Sequence, residues 1–179
     1  MKKIETERLI LRRFKVEDAQ NMFDNWASIE ENVKFLWPVH KNVEETRSLL
    51  ELWVKEYDEK KCFKWAITLK ESPEIVIGDI SVVEIKEKIK SADIGYILSK
   101  KYWNLGYMSE ALEAVINYLF LEEDFNRIEA KYDIRNTASG KVMEKAGMKF
   151  EGILRESVLS NSGIGDLAVC SILRKEYMK

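Results

Sequence analysis

The chain is poor in the residues that punctuate or staple a fold. Its 179 residues include two prolines, eight glycines, two cysteines and one histidine. With so few breakers there is no Pro/Gly-rich linker, low-complexity tract or internal repeat, so the expectation is one domain over residues 1–179. Cys62 and Cys170 form neither a metal-ligand spacing nor a disulfide framework, and read as reduced core residues of a cytoplasmic protein. No apolar run reaches the length of a membrane span, and the start, Met1-Lys2-Lys3-Ile4-Glu5, lacks the apolar core of a signal peptide. A net charge of −2 gives no basic field for a phosphate backbone, which argues against a nucleic-acid partner. What is abundant is apolar and charged at once, 46% and 34%, the composition of a chain that buries a core.

The periodicity alternates between two and three to four. Residues 6–14 alternate apolar and charged around Leu9 and Leu11, as a half-buried strand does. Ala19, Met22, Phe23 and Trp26 share a helical face, and a loop through Phe35-Leu36-Trp37-Pro38 leads to a second helix with Leu49, Leu50, Trp53, Val54 and Tyr57. Trp26, Trp53 and Trp65 fall on apolar faces and are assigned to the core. Three strand-like runs follow, Phe63 to Leu69, Ile75 to Ile85 and Asp93 to Leu98. A helix is expected from Ser109, a strand over 127–134, a short helix over 138–146 stopping at Gly147, and closing strands over 149–158 and 166–173. This order implies a mixed sheet with helices packed on it, an α/β (α+β) class.

The stretch from Asp93 to Ala111 is the most informative. A strand, a turn containing Gly106 and a helix leave backbone N–H groups unpaired at the helix start, where they and the helix dipole favour an anion such as a pyrophosphate. A plain strand–helix connection with a glycine in its turn fits the same residues equally well. No G-x-G-x-x-G triplet is present, and Ser139-Gly140-Lys141 lacks the preceding glycine of a P-loop.

Tyr102-Trp103-Asn104-Leu105-Gly106-Tyr107-Met108-Ser109-Glu110-Ala111 resembles the pyrophosphate loop of the GNAT acetyltransferases, most closely the RimJ/RimL-like branch. Asn136-Thr137-Ala138-Ser139 with Glu144-Lys145-Ala146-Gly147-Met148 resembles that branch's N-x-x-S…E-K-x-G-F segment. Thr6-Glu7-Arg8-Leu9-Ile10-Leu11-Arg12 resembles its T-E-R-L-x-L-R opening, and Glu151-Gly152-Ile153-Leu154-Arg155 and Asp166 also fit. The resemblance implies a mostly antiparallel central sheet of about seven strands with helices on both faces. It implies acetyl-CoA as cosubstrate and an acetyl transfer to a primary amine, for instance a protein N-terminal α-amine, by direct attack in a ternary complex. Homodimers are common in the family, so one is an expectation here.

Residue by residue, the resemblance gives Asn104, Leu105, Gly106, Tyr107, Met108 and Ser109 to the pyrophosphate, and the backbone of Ile97, Leu98 and Ser99 with Asn136 to the pantetheine arm. Asp93, acting through water, is the first candidate base and Glu84 the second. His40, the sole histidine, and Trp37 are assigned to the wall of the acceptor site. The tyrosine that many GNAT enzymes use as acid is replaced by Met143, leaving Ser139 to protonate the departing thiolate or merely to cap its helix. Met108 and Asn104 stand where the branch has smaller residues, so crowding of the cofactor is a second expectation. Polyamine or aminoglycoside acceptors, favoured by Glu30, Glu31, Glu44 and Glu45, stay open, as does a non-catalytic acyl-CoA-binding domain.

Overall fold

In the computed structural model, which describes residues 1–59 and 62–178, an eight-stranded sheet organises the chain. Its strands are β1 (Ile4–Glu5), β2 (Leu9–Arg12), β3 (Lys64–Leu69), β4 (Ser72–Lys86), β5 (Ser91–Leu98), β6 (Arg127–Asp133), β7 (Lys149–Ser160) and β8 (Gly163–Leu173), in the order β1-β2-β3-β4-β5-β6-β8-β7. Every neighbour pair is antiparallel except β5 and β6. The expected strand over 6–14 is shorter than its alternation implied, because Thr6 to Arg8 turn between β1 and β2 and Thr6 N–H bonds Leu9 C=O at 3.1 Å. That turn supplies the additional strand.

Helices lie on both faces, as expected. On one face α1 (Ala19–Met22), α2 (Glu30–Val33) and α3 (Val43–Glu59) cover Ala66, Val76 and Ile97. Their contribution includes Trp26 and Leu50, both fully buried. The single helix expected through Trp26 instead widens into a π-helical turn over Phe23–Ala27. On the other face α4 (Tyr107–Leu121) and α5 (Thr137–Lys145) pack on Ile80, Ile94 and Ile128. A short α6 (Arg174–Tyr177) follows β8. Along α4, Ala111, Leu112, Val115, Ile116 and Leu119 are all fully buried, so the 3.6-residue stripe is the surface it buries. Gly147 follows α5 at φ +80, the left-handed stop its sequence signalled. Cys62 and Cys170 are both buried, and neither is in a disulfide. No helix among the described residues is long and apolar enough to cross a membrane.

Candidate active site

The one parallel pair does not stay closed. β5 and β6 are registered from Ser91↔Arg127 to Ile94↔Ala130, after which β5 runs on to Leu98 while β6 pairs only with β8. A wedge opens between Gly95–Leu98 and Lys131–Asp133. Ser99 N–H donates to Ile77 C=O at 2.8 Å, on the β4 side. Backbone direction alternates along a strand, so Ile97 also faces β4, whereas Tyr96 and Leu98 face the wedge. Of Ile97, Leu98 and Ser99, only Leu98 turns its backbone to the wedge, and Tyr96 does so beside it. Leu98 C=O is already occupied, accepting from Asn32 Nδ2 at 2.9 Å and Trp103 Nε1 at 2.7 Å.

At the wide end of the wedge stands the start of α4. Gly106 sits there at φ +81, and no side chain caps the helix. The first intrahelical donor is Glu110 N–H, to Gly106 C=O at 3.1 Å. The N–H groups of Tyr107, Met108 and Ser109 thus have no partner among the described residues. Crowding by the two departures is not what the structure shows. Met108 is 5% exposed and points into the core. Asn104 has φ +61, the left-handed conformation that asparagine tolerates best after glycine. Loop and helix start therefore fit an anionic cofactor, with a bare donor cradle and no side chain filling it.

One wall of the wedge belongs to α5. Asn136, assigned to the pantetheine arm, is the N-cap, its Oδ1 accepting from Ser139 N–H at 3.3 Å. Ser139, one of whose readings was the cap, instead places Oγ 2.9 Å from the Tyr96 hydroxyl. Tyr96 also donates to Ser139 C=O at 3.0 Å. Burial holds the Tyr96 phenol well above its ordinary range, so it stays protonated. Gly140 is required by the same packing, since a Cβ there would stand 2.7 Å from the Tyr132 ring. Met143, where other members carry an acid, is 1% exposed in the core.

The opposite face is charged. Asp93, one residue before the vertex of the wedge, is ion-paired to Lys131. Burial raises its carboxyl above the usual range against the opposing pull of Lys131. Glu84, opposite Asp93 in the β4–β5 ladder, is half exposed beside Lys86 at 3.7 Å. Glu84, Asp93 and Glu129 each offer an oxygen within 4.8 Å of the others. Lys86, Arg127 and Lys131 answer Glu129 at 3.0, 3.1 and 3.5 Å, which makes the group an ion-pair network.

His40 stands in the loop before α3. Its N–H donates to Ala27 C=O at 2.9 Å and its Nδ1 is 2.7 Å from Thr46 Oγ1, contacts that pin the loop to α3. Trp37 is 39% exposed beside a latch that the sequence did not reveal. The β7–β8 turn reaches across, Asn161 Nδ2 donating to Trp37 C=O at 2.7 Å and Val33 C=O at 3.1 Å. Arg135, paired to buried Asp133 at 2.5 Å, donates to Ser162 C=O at 2.9 Å. Gly165 leaves room for that pair, for its Cβ would fall 2.5 Å from Arg135 Nη2.

Comparison with known proteins agrees with this geometry. The Acetyltransferase (GNAT) domain family matches residues 8–149. An uncharacterised N-acetyltransferase, p20, of Bacillus licheniformis is 31% identical over 177 residues, 99% of each chain. The [ribosomal protein uS5]-alanine N-acetyltransferase of Escherichia coli is 26% identical, over 88% of this chain and 83% of its own. The crystal structure of a GNAT-family acetyltransferase from Bacillus anthracis superposes with a TM-score of 0.83 at 27% identity, covering 97% of this chain and 99% of that one. The chain belongs to the GNAT family, on the RimJ/RimL-like side of it, and is an acetyl-CoA-dependent N-acetyltransferase.

Proposed function

We propose that this enzyme acetylates the N-terminal α-amine of a protein, in the cytoplasm, with the reacting groups gathered in the β5–β6 wedge. The observation that carries this reading is the division of the wedge: a buried carboxylate, Asp93, near its vertex on one face, and the Tyr96–Ser139 hydroxyl pair on the other. The start of α4 would hold the pyrophosphate, and the wedge edge of Tyr96 and Leu98 the pantetheine arm. Acetyl-CoA, when bound, supplies a thioester carbonyl open to direct attack by the amine.

Asp93 accepts the amine proton through water, and its raised carboxyl is a better base than an ordinary aspartate. Lys131 orients that carboxylate from the far side. Ser139 presents its hydroxyl to the leaving sulfur as a hydrogen-bond donor, and Tyr96, protonated throughout with its O–H turned to Ser139 Oγ, leaves the Ser139 proton free for the sulfur. Glu84 belongs to the surrounding ion pairs. The latch between the β7–β8 turn and the loop at Trp37 bounds the acceptor side, which suits a chain end better than an internal lysine. A protein acceptor is further supported by the activity named for the uS5-alanine relative. Glu31 and Glu44 pair with Lys100 and Arg47 at 2.7 and 3.3 Å, which leaves Glu30 and Glu45 without an ion pair among the described residues and disfavours a polyamine or aminoglycoside acceptor. The non-catalytic reading rested on Met108 and Met143, and both are core residues.

Asp93→Asn tests the reading. We expect kcat to fall about 10²–10⁴-fold on an N-terminal peptide. Wild-type rate should decline as pH drops through the raised Asp93 pKa, and the variant should lose that limb. Unchanged rate and pH profile would remove Asp93 from the chemistry. Turnover of spermine or kanamycin in preference to peptides would overturn the acceptor.

A further inference from the structure

The Thr6-Glu7-Arg8 opening lies about a hundred residues from the α4 loop in sequence, yet the two are stitched together. Glu110, in the first turns of α4, accepts from Thr6 Oγ1 at 2.5 Å, from Arg8 N–H at 2.9 Å and from Arg8 Nε at 2.7 Å. Arg8 Nη1 donates to Leu105 C=O at 2.9 Å, and the guanidinium lies 4.5 Å over the Tyr107 ring. The side chain is thereby fixed on three sides against the turn it spans.

Its remaining nitrogen is not used. Arg8 Nη2 has no hydrogen-bond partner among the described residues, and it is the nearest atom, at 3.4 Å, to where a side chain on Gly106 would project. The Arg8 side chain is 43% exposed while that of Glu110 is 17% exposed, so the clamp turns its cation outward and its carboxylate inward. Had the stitch served only to hold the loop, Thr6, the Arg8 backbone N–H and the Glu110 carboxylate would suffice. A planar guanidinium with two free N–H donors, held rigidly beside three bare backbone donors, has the geometry that a phosphate accepts.

We propose that Arg8 is a cofactor-binding residue: anchored by Glu110 and Leu105, it directs Nη2 to the diphosphate of acetyl-CoA and keeps the turn at Leu105–Gly106 in its anion-binding shape. This rests on the placement of the diphosphate at the start of α4. The fork geometry, and not charge alone, is the requirement, so lysine does not substitute fully.

The test is titration calorimetry of acetyl-CoA and S-acetylpantetheine, which lacks phosphates, against wild type, Arg8→Gln and Arg8→Lys, with melting temperatures measured without ligand. The expected result for Arg8→Gln is a loss of about 10- to 100-fold in acetyl-CoA affinity, with S-acetylpantetheine affinity unchanged. Arg8→Lys should fall between. Wild-type affinity for acetyl-CoA in either Arg8→Gln or Arg8→Lys overturns the proposal. An equal loss for both ligands in Arg8→Gln, accompanied by a lower melting temperature, reduces Arg8 to a structural clamp and also overturns it. If wild type itself binds the two ligands equally well, the placement of the diphosphate has failed instead.

Discussion

Two helices start beside the wedge, and they start differently. α4 begins at a left-handed glycine with no side-chain cap, leaving three N–H groups bare. α5 begins at Asn136, which caps its own helix through Oδ1. The turn before α4 is exposed, so its bare N–H groups are open to water or to an incoming anion. The capped start does a different job. Because Asn136 meets the Ser139 N–H, the Ser139 hydroxyl is released to meet Tyr96 and the wedge. On our proposal one start binds the cofactor and the other positions a side chain.

The contrast can be sharpened by substitutions on each side. Met108 faces inward on α4, so Met108→Ala should cost about 2–5 kcal/mol of stability through the cavity it leaves. Its acetyl-CoA affinity, measured by calorimetry below the melting range, should stay within about twofold of wild type. A tenfold change in affinity without destabilisation would mean that Met108 faces the cofactor after all. Gly106→Val should break the binding start, because a β-branched residue resists positive φ, and acetyl-CoA affinity should fall about a hundredfold. Ser139→Ala should lower kcat about 10- to 100-fold with the KM for acetyl-CoA unmoved, as expected of a group acting on the leaving sulfur alone. A rise in KM with kcat intact would return Ser139 to a binding role. Asn136→Ala is the mildest, about 1 kcal/mol for a lost cap, read by thermal melting.

Much of this was legible in the sequence because it is local. The stripe of α4, the stop at Gly147 and the strand–turn–helix around Gly106 depend on residues within a few positions of one another. What escaped depends on partners far away. Thr6 looked like part of a strand, but it turns to meet Glu110. Asn136 and Ser139 are three residues apart and both can cap; Tyr96, 43 residues distant from Ser139, is what distinguishes them. The latch at Arg135, Asn161 and Trp37 joins residues 27 and 124 positions apart, and no periodicity records it. His40 drew attention by intrinsic pKa, yet its chemistry is spent on Thr46 and burial lowers its pKa.

On our proposal acetyl-CoA binds at the bare start of α4. Thermal melting of wild type and Gly106→Val, each with and without acetyl-CoA at about 100 times the wild-type dissociation constant, tests it directly. Binding of that strength adds about 2.7 kcal/mol, a rise of roughly 5–10 °C for a chain of this length. We expect that rise in wild type and a shift of only about 1–2 °C in Gly106→Val, where a hundredfold weaker binding leaves about 0.4 kcal/mol. Equal shifts in the two proteins, or none in wild type, would contradict it.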